Sequence, residues 1–264
     1  MAGNLESSHA KNVANFESLI SAINGLGAIY NPSKSSLAVG ELTKLSKSAD
    51  DTVNQVNYAL GRYKLAVAAR AKAFSPLSKL STRIINALRA SDTKQQVDDV
   101  AKSLVRKIQG QRATPKLSEE KKATLLAEGK VKKEVSSSQM GFDNRIDSLD
   151  KLIQLLGAIS QYSPNEVELQ LSTLETYYHT LKTTNNDVRE LETQLSNARL
   201  LRNEILYKPN TGLVDTAIAV KMYLKSVFGT NNPKYKQISG LKFRVNLANK
   251  IPEEETIVQE VPVR

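Results

Sequence analysis

Two long stretches of this sequence carry apolar residues at an alternating spacing of three and four. One covers residues 42–74 and the other residues 167–205. Side chains spaced in this way form a stripe along an α-helix. A stripe that continues over many turns is typical of helices that pack against each other along their length. Each stretch therefore predicts one long helix of about 40 residues, which would span roughly 55 to 60 Å.

The segments around the two predicted helices resemble each other in the same order along the chain. The clearest pair is LGAIYNP at residues 26–32 and LGAISQYSP at residues 156–164. The other matches are Phe16 with Phe142, Leu37 with Leu169, Leu42 with Leu174, Thr52 with Thr184, Val56 with Val188, Arg70 with Arg202, and KIQGQR at 107–112 with QISGLK at 237–242. An ordered series of this kind indicates an internal repeat. The alternative is that helical hairpins of similar length resemble one another without being copies.

The repeat predicts an all-α protein made of two tandem, elongated helical-bundle modules, each with one long helix. The expected division is an N-terminal tail (1–11), helical module 1 (12–112), a basic linker or arm (113–141), helical module 2 (142–243) and a C-terminal tail (244–264). Pro32, Pro76 and Pro209 are expected to end helices, because proline cannot continue a helix. The strongly apolar segment at 213–228 is expected to be a helix buried in the bundle.

Several classes of function are excluded or disfavoured by residue content. The chain has no cysteine, so disulfides, thiolate zinc sites and cysteine nucleophiles are excluded. Neither the Walker A nor the dinucleotide-binding glycine motif is present. No stretch approaches the roughly 18 apolar residues of a membrane span, and the first residues do not have the pattern of a secretory signal. We therefore expect a cytoplasmic protein.

The residues that could support catalysis or bind a metal form no convincing set. The two histidines are His9, in the expected tail, and His179, which shares a helical face with Glu175. A structural role for His179 among neighbouring tyrosines is the simpler interpretation. The carboxylate pairs, such as Asp98 with Asp99, point in different directions on a helix and are expected to be solvated. We predict no enzymatic activity, no cofactor and no metal.

The net charge of +10 is unevenly distributed, because the whole excess lies in the first 140 residues. Two basic stretches could neutralise phosphates and would give salt-sensitive, sequence-independent binding to nucleic acid. Their members are Lys102, Arg106, Lys107, Arg112, Lys116, Lys121, Lys122, Lys130, Lys132 and Lys133, and then Lys221, Lys225, Lys234, Lys236, Lys242 and Arg244. Few aromatic residues accompany them for base stacking, so nucleic-acid binding is the second hypothesis.

The first hypothesis is a structural or scaffold protein that associates with copies of itself. Repeated helical modules with a basic first part and an acidic middle can join head to tail into an oligomer, a filament or a tube. The residues expected to mediate contacts are Lys121, Lys122, Lys130, Lys132 and Lys133 of the arm, and Glu253, Glu254, Glu255, Ile257 and Val258 of the C-terminal tail. The simpler alternatives are a solubilising linker for the arm and disorder for the tail.

Two segments carry a resemblance to known sequences. They are SSSQMGFDNRIDSLDKLIQLL and ARLLRNEILYKPNTGLVDTAIAVKMYLKSVFG, which continues to YKQISGLKF. Across residues 12–243 the chain resembles a group of uncharacterised all-helical proteins of similar length from Gram-negative bacteria. The resemblance implies a bacterial, cytoplasmic, all-helical protein and implies no activity, cofactor or functional residue. The acidic segment after Phe243 lies beyond the shared part.

Overall fold

A computed structural model describes residues 3–111, 124, 127 and 141–244 of the chain. This part of the protein is helical and contains no β-strand, so the predicted all-α class is confirmed. Short 3₁₀ turns precede both long helices. The α-helices are α1 (Gly3–Asn24), α2 (Val39–Phe74), α3 (Leu77–Arg89), α4 (Gln95–Gln109), α5 (Phe142–Gly157), α6 (Leu171–Tyr207), α7 (Leu213–Phe228) and α8 (Pro233–Ser239).

The helix boundaries follow local chain chemistry, with three differences from expectation. α1 begins at Gly3, so residues assigned to an N-terminal tail belong to the first helix. It ends at Asn24 rather than at Pro32, and Gly27 then adopts a positive φ of 54°, which glycine accepts at no steric cost. α6 begins at Leu171, because residues 167–169 form a 3₁₀ turn in which Val167 is exposed.

The chain divides into two compact units that do not coincide with the two expected sequence modules. The first unit comprises Met1–Arg62 and Glu192–Arg264, and the second comprises Tyr63–Leu191. Both long helices contribute residues to both units. Each unit is therefore assembled from parts of both sequence modules, while the module boundaries themselves stay a prediction about the repeat.

The core of the first unit joins the two ends of the sequence. Phe16, Leu19 and Ile23 of α1 are almost fully buried, together with Leu213 and Val220 of α7. The N-terminal part of α2 and the C-terminal end of α6 complete this cluster. The three-and-four spacing of Phe16, Leu19 and Ile23 gives α1 one apolar face, and this face packs against residues from the far end of the chain. Burial on this scale stabilises the unit by about 1.5 to 3 kcal/mol for each large side chain.

The core of the second unit forms around helices α3, α4 and α5. Ile84 and Leu88 of α3, Ile108 of α4, and Leu149 and Leu156 of α5 are inaccessible to solvent. The C-terminal end of α2 and the N-terminal part of α6 add buried residues to the same cluster. Each of these helices therefore has one buried face, as the three-and-four spacing of its apolar residues predicts.

A polar contact made by a tyrosine recurs in both units. In the first unit the hydroxyl of Tyr30 donates to the carbonyl oxygen of Leu37 at 2.7 Å. In the second unit the hydroxyl of Tyr162 donates to the carbonyl oxygen of Leu169 at 2.9 Å. Burial is the main cause that raises the pKa of each tyrosine to about 12. The same side chain thus ties the turn before each long helix to its 3₁₀ segment.

The burial pattern also changes two pairings of the sequence comparison, Phe16 with Phe142 and Leu26 with Leu156. Phe142 is the first residue of α5, whereas Phe16 lies in the interior of α1. The buried positions of the two helices fall into register when Phe16 is matched with Leu149. The buried sets are then Val13, Phe16, Leu19, Ile20 and Ile23 in α1, and Ile146, Leu149, Leu152, Ile153 and Leu156 in α5. Matching Phe16 with Phe142 by residue identity alone places α1 out of register with α5.

Candidate interaction surface

The chain segment after α8 is fastened to α1 by two asparagine side chains in the first unit. Asn15 donates from Nδ2 to the carbonyl oxygen of Lys242 at 2.7 Å. Asn12 donates from Nδ2 to the carbonyl oxygen of Arg244 at 2.8 Å, and its Oδ1 accepts from the Arg244 backbone N–H at 2.9 Å. Asn12 thereby satisfies both backbone groups of Arg244, in the manner of a neighbouring strand. These contacts hold the chain along α1 up to Arg244.

Asn12 belongs to a buried polar cluster. It is 1% exposed and also donates from Nδ2 to the hydroxyl of Tyr207 at 3.3 Å. The Nδ1 atom of His9 lies 2.6 Å from the same hydroxyl, and His9 is 2% exposed. Buried polar groups of this kind are stable only when they are hydrogen-bonded. The histidine expected in a free tail is therefore part of the folded first unit.

Phe243 and Lys221 make further contacts that hold the same segment in place. The ring of Phe243 meets the ring of Phe16 edge to face, with centroids 6.5 Å apart. Lys221 Nζ lies 5.4 Å from the centroid of Phe243 and donates to the carbonyl oxygens of Ser239, at 3.1 Å, and Leu241. Burial lowers the pKa of Lys221 from its usual value. Lys221 thus acts mainly as a link between α7 and the chain after α8.

A cavity of about 530 Å³ lies where α1 meets this segment. Its polar lining residues include Ser7, Ser8, Lys11, Asn15, Lys242 and Arg244. Lys11, Lys242 and Arg244 are exposed, and no described residue that lines the cavity carries a carboxylate. Several donors and three positive charges around one opening are suited to binding an anionic group. We call these residues the α1 cavity.

The second unit has a comparable contact between α5 and the end of α4. Arg145 of α5 donates from Nε to the carbonyl oxygen of Ile108, near the end of α4, at 3.0 Å. Its guanidinium lies 5.4 Å from the centroid of Phe74, which itself meets Phe142 edge to face. Burial lowers the pKa of Arg145, and nearby Tyr177 partly opposes this shift. In the second unit an arginine and aromatic rings make this contact, whereas in the first unit asparagines and the His9–Tyr207 pair make it.

All ten residues predicted from the sequence to mediate self-association lie outside the described residues. These are Lys121, Lys122, Lys130, Lys132 and Lys133 of the arm, and Glu253, Glu254, Glu255, Ile257 and Val258 of the tail. The second basic stretch is described, and it lies in the first unit. Among its members, Lys242 and Arg244 line the α1 cavity. Sequence reasoning found these two residues but missed Lys11, Asn12 and Asn15, which lie at the opposite end of the chain.

One missed residue had a detectable signal in the sequence. His9 stands four residues before Val13 and seven before Phe16, so it continues the apolar face of α1. Reading that spacing backwards would have extended the helix and placed His9 in the core. No comparable signal identifies Asn12 and Asn15, because their partners are backbone groups more than 200 residues away.

The residues considered for catalysis or metal binding are not brought together. His179 is exposed on α6, with the ring of Tyr178 beside it at 5.2 Å. Within the described parts of the chain, no group of three histidine, aspartate or glutamate residues could hold a metal ion. Asp98 differs from expectation, because it is 8% exposed and accepts from the hydroxyl of Thr93 at 2.8 Å. This aspartate is a structural partner at the start of α4.

Comparisons with known proteins leave the fold and the surface as the basis for a functional argument. No protein-family model, curated protein or solved structure matches this chain. None of the helices in the described residues combines the length and apolar character needed to cross a membrane.

Proposed function

We propose that this protein is a non-enzymatic, cytoplasmic structural subunit that associates with copies of itself into an oligomer or filament. The observation that carries the proposal is an exposed apolar pair, Ile218 and Met222, on the outer side of α7. Ile218 is 42% exposed and Met222 is 66% exposed. The opposite face of the same helix, with Leu213 and Leu224, is completely buried in the first unit.

A helix that is apolar on both sides normally has both sides covered. α7 meets this condition on its inner side only, so a partner is the natural cover for its outer side. Ile218 and Met222 are four positions apart and thus lie next to each other on the helix surface. Exposed neighbouring apolar groups of this kind favour association with another protein surface.

The internal repeat supports the same proposal. We take the chain as two tandem copies of one helical module, on the strength of the paired Tyr30 and Tyr162 contacts and the shared burial pattern of α1 and α5. The copies differ in their surfaces, and the first 140 residues hold the whole charge excess. Subunits with unlike ends associate head to tail, which gives open polymers unless the rotation closes a ring.

The test of this proposal is the particle size of the purified protein over a range of concentrations. We expect regular particles larger than a monomer that survive nuclease treatment, as measured by sedimentation velocity and negative-stain microscopy. Met222→Glu should dissociate them, because a charge would enter the apolar contact. The matched control is Tyr58→Glu, since Tyr58 is 70% exposed elsewhere on the first unit. A wild-type protein that is monomeric at every concentration would contradict the proposal.

The second candidate function is sequence-independent binding to nucleic acid. One observation favours it: Lys225, Lys234, Lys236, Lys242 and Arg244 are all exposed on the first unit. Such a set of cations would bind phosphates with an affinity that falls steeply as salt rises. A gel-shift assay with wild-type protein and a Lys234→Glu/Lys236→Glu variant tests this function. Binding that is equal in both proteins would contradict it.

A further inference from the structure

We propose that the α1 cavity is the docking site for the acidic segment Glu253–Glu255 of a second copy of this chain. The inference rests on the proposed function and deepens it, because it names the partner segment and the surface that receives it. The cavity supplies Lys11, Lys242 and Arg244 on one side of the contact. The tail of the other copy supplies three consecutive carboxylates.

The α1 cavity carries positive charge of one sign. Lys11 reaches it from α1, and Lys242 and Arg244 reach it from the chain after α8. The residues around them are serines and asparagines rather than acids, so no described lining residue neutralises the three cations. A concave site with one sign of charge attracts the opposite charge more strongly than a flat surface does.

The wall of the α1 cavity is held in place before any ligand binds. The Asn12 and Asn15 side chains hold the backbone of Lys242 and Arg244, and Phe243 packs on Phe16. The cavity wall is therefore ordered by contacts that do not use the cationic groups of the two side chains. A site that is organised before binding loses less conformational entropy when a ligand arrives.

The charge of the chain favours an acidic segment of a second copy as the ligand. The chain carries a net charge of +10, so two copies repel each other unless oppositely charged surfaces meet. Glu253, Glu254 and Glu255 are the only run of three consecutive acidic residues in the sequence. A contact that brings this run to the α1 cavity offsets the repulsion between copies. Opposite charges across an interface also determine which surfaces can pair.

The length of chain before the acidic run limits how far this run can extend. The segment between Arg244 and Glu253 extends at most about 30 Å. That length allows the acidic run to leave its own unit and enter the cavity of a neighbouring copy. It also allows the run to turn back to its own cavity. Contact between copies depends on protein concentration, whereas contact within one chain does not, and this difference makes the two cases separable.

The experiment uses two charge-reversed variants of the full-length chain. The cavity variant carries Lys11→Glu and Lys242→Glu, and the tail variant carries Glu253→Lys, Glu254→Lys and Glu255→Lys. Both cavity substitutions replace exposed side chains, and the backbone contact of Lys242 is retained, so the fold should persist by circular dichroism. The matched control is Lys34→Glu, an exposed lysine of the first unit that does not line the cavity.

Sedimentation velocity would be measured for each protein alone and for an equimolar mixture of the two variants. We expect each variant alone to associate about tenfold more weakly than wild type or the Lys34→Glu control. The mixture should regain association, because an intact tail then meets an intact cavity. Raising salt from about 50 mM to about 500 mM should weaken the wild-type contact, since screening shortens the range of charge interactions.

The outcomes distinguish this inference from the function on which it rests. Wild-type protein that associates while both variants associate equally well would overturn the docking site and leave self-association standing. Two weakened variants whose mixture stays weak would show that the tail and the cavity do not pair between copies, which would also overturn the inference. Wild-type protein that remains monomeric at all concentrations would contradict the proposed function itself.

Discussion

The hydroxyl of Tyr30 donates a hydrogen bond to the carbonyl oxygen of Leu37 across seven residues, inside the core of the first unit. Tyr30 is 8% exposed and Leu37 is 5% exposed, so water cannot readily replace either partner. This bond joins the turn after α1 to the 3₁₀ segment before α2. Tyr162 and Leu169 make the same bond in the second unit.

Replacing either tyrosine by phenylalanine should therefore destabilise the protein. Tyr30→Phe and Tyr162→Phe each leave a buried carbonyl oxygen without its donor, at a cost of about 1 to 3 kcal/mol. Urea unfolding followed by circular dichroism measures the change in the free energy of unfolding. Tyr58→Phe is the control, because Tyr58 is largely exposed and should change that free energy by less than about 0.5 kcal/mol. Equal stability of all three variants would contradict the structural role.

Stability should fall at alkaline pH. Burial is the largest cause that raises the pKa values of Tyr30, Tyr162 and Tyr177 from 10.0 to about 12. Between these values the unfolded chain releases the tyrosine protons while the folded chain retains them. The free energy of unfolding should thus be insensitive to these groups below pH 10 and decrease as the pH rises from 10 towards 12.

The control for this pH dependence is a variant with Tyr30, Tyr162 and Tyr177 all replaced by phenylalanine. It should be less stable at neutral pH, but its stability should decrease less between pH 10 and 12 than that of the wild type. Thermal unfolding across this pH range makes the comparison. A variant that loses stability as steeply as the wild type would exclude the tyrosines as the cause.

Asn12 should control the attachment of the chain end to α1. Asn12→Ala removes both side-chain contacts with the backbone of Arg244 and the hydrogen bond to Tyr207. We expect trypsin to cleave faster after Lys242 and Arg244, because cleavage requires the backbone to leave the surface. Mass spectrometry of timed digests identifies the sites.

Asn31→Ala is the matched control for this digestion. Asn31 is exposed, and its contact with Tyr223 uses the backbone N–H, which the substitution retains. Cleavage after Lys242 and Arg244 should therefore proceed at the wild-type rate. Cleavage that accelerates equally in the Asn12 and Asn31 variants would show a general loss of stability instead.

Arg70 should stabilise the second unit through the shape of its side chain as well as its charge. Its guanidinium lies 4.0 Å from the centroid of Phe142 and donates from Nη1 to Oδ1 of Asn185 at 3.1 Å. Arg70→Lys keeps the charge but loses the planar group, and should cost about 1 to 2 kcal/mol in the free energy of unfolding. Arg83→Lys is the control, because its ion pair with Glu168 is exposed and contributes little.

The composition of the units predicts that separate halves of the chain do not fold alone. Fragments 1–111 and 141–264 each lack helices that complete both hydrophobic cores. Each fragment should show low helicity by circular dichroism, and mixing them should restore the helicity of the intact chain. Two fragments that are both fully helical alone would mean that each sequence module is a self-sufficient folding unit.

The local spacing of apolar residues is sufficient to predict where the helices form and which of their faces are buried, except near the ends of α1 and α6. Val13, Phe16 and Ile23 share one side of α1 because of their spacing alone, and all three are buried. The long helices end just before Pro76 and Pro209, because proline lacks the N–H group that a helix needs. These are local effects, and each depends on neighbours within a few residues.

Which of these faces pack together depends on contacts between residues far apart in the sequence. Spacing shows that α1 has an apolar side, but hydrophobic burial is non-directional and does not name a partner. The structure packs α1 against α7 and the chain after α8, and it thereby brings Asn12 to Arg244 and Lys11 to Lys242. The α1 cavity exists because residues from opposite ends of the chain come together, and no local pattern in the sequence records that arrangement.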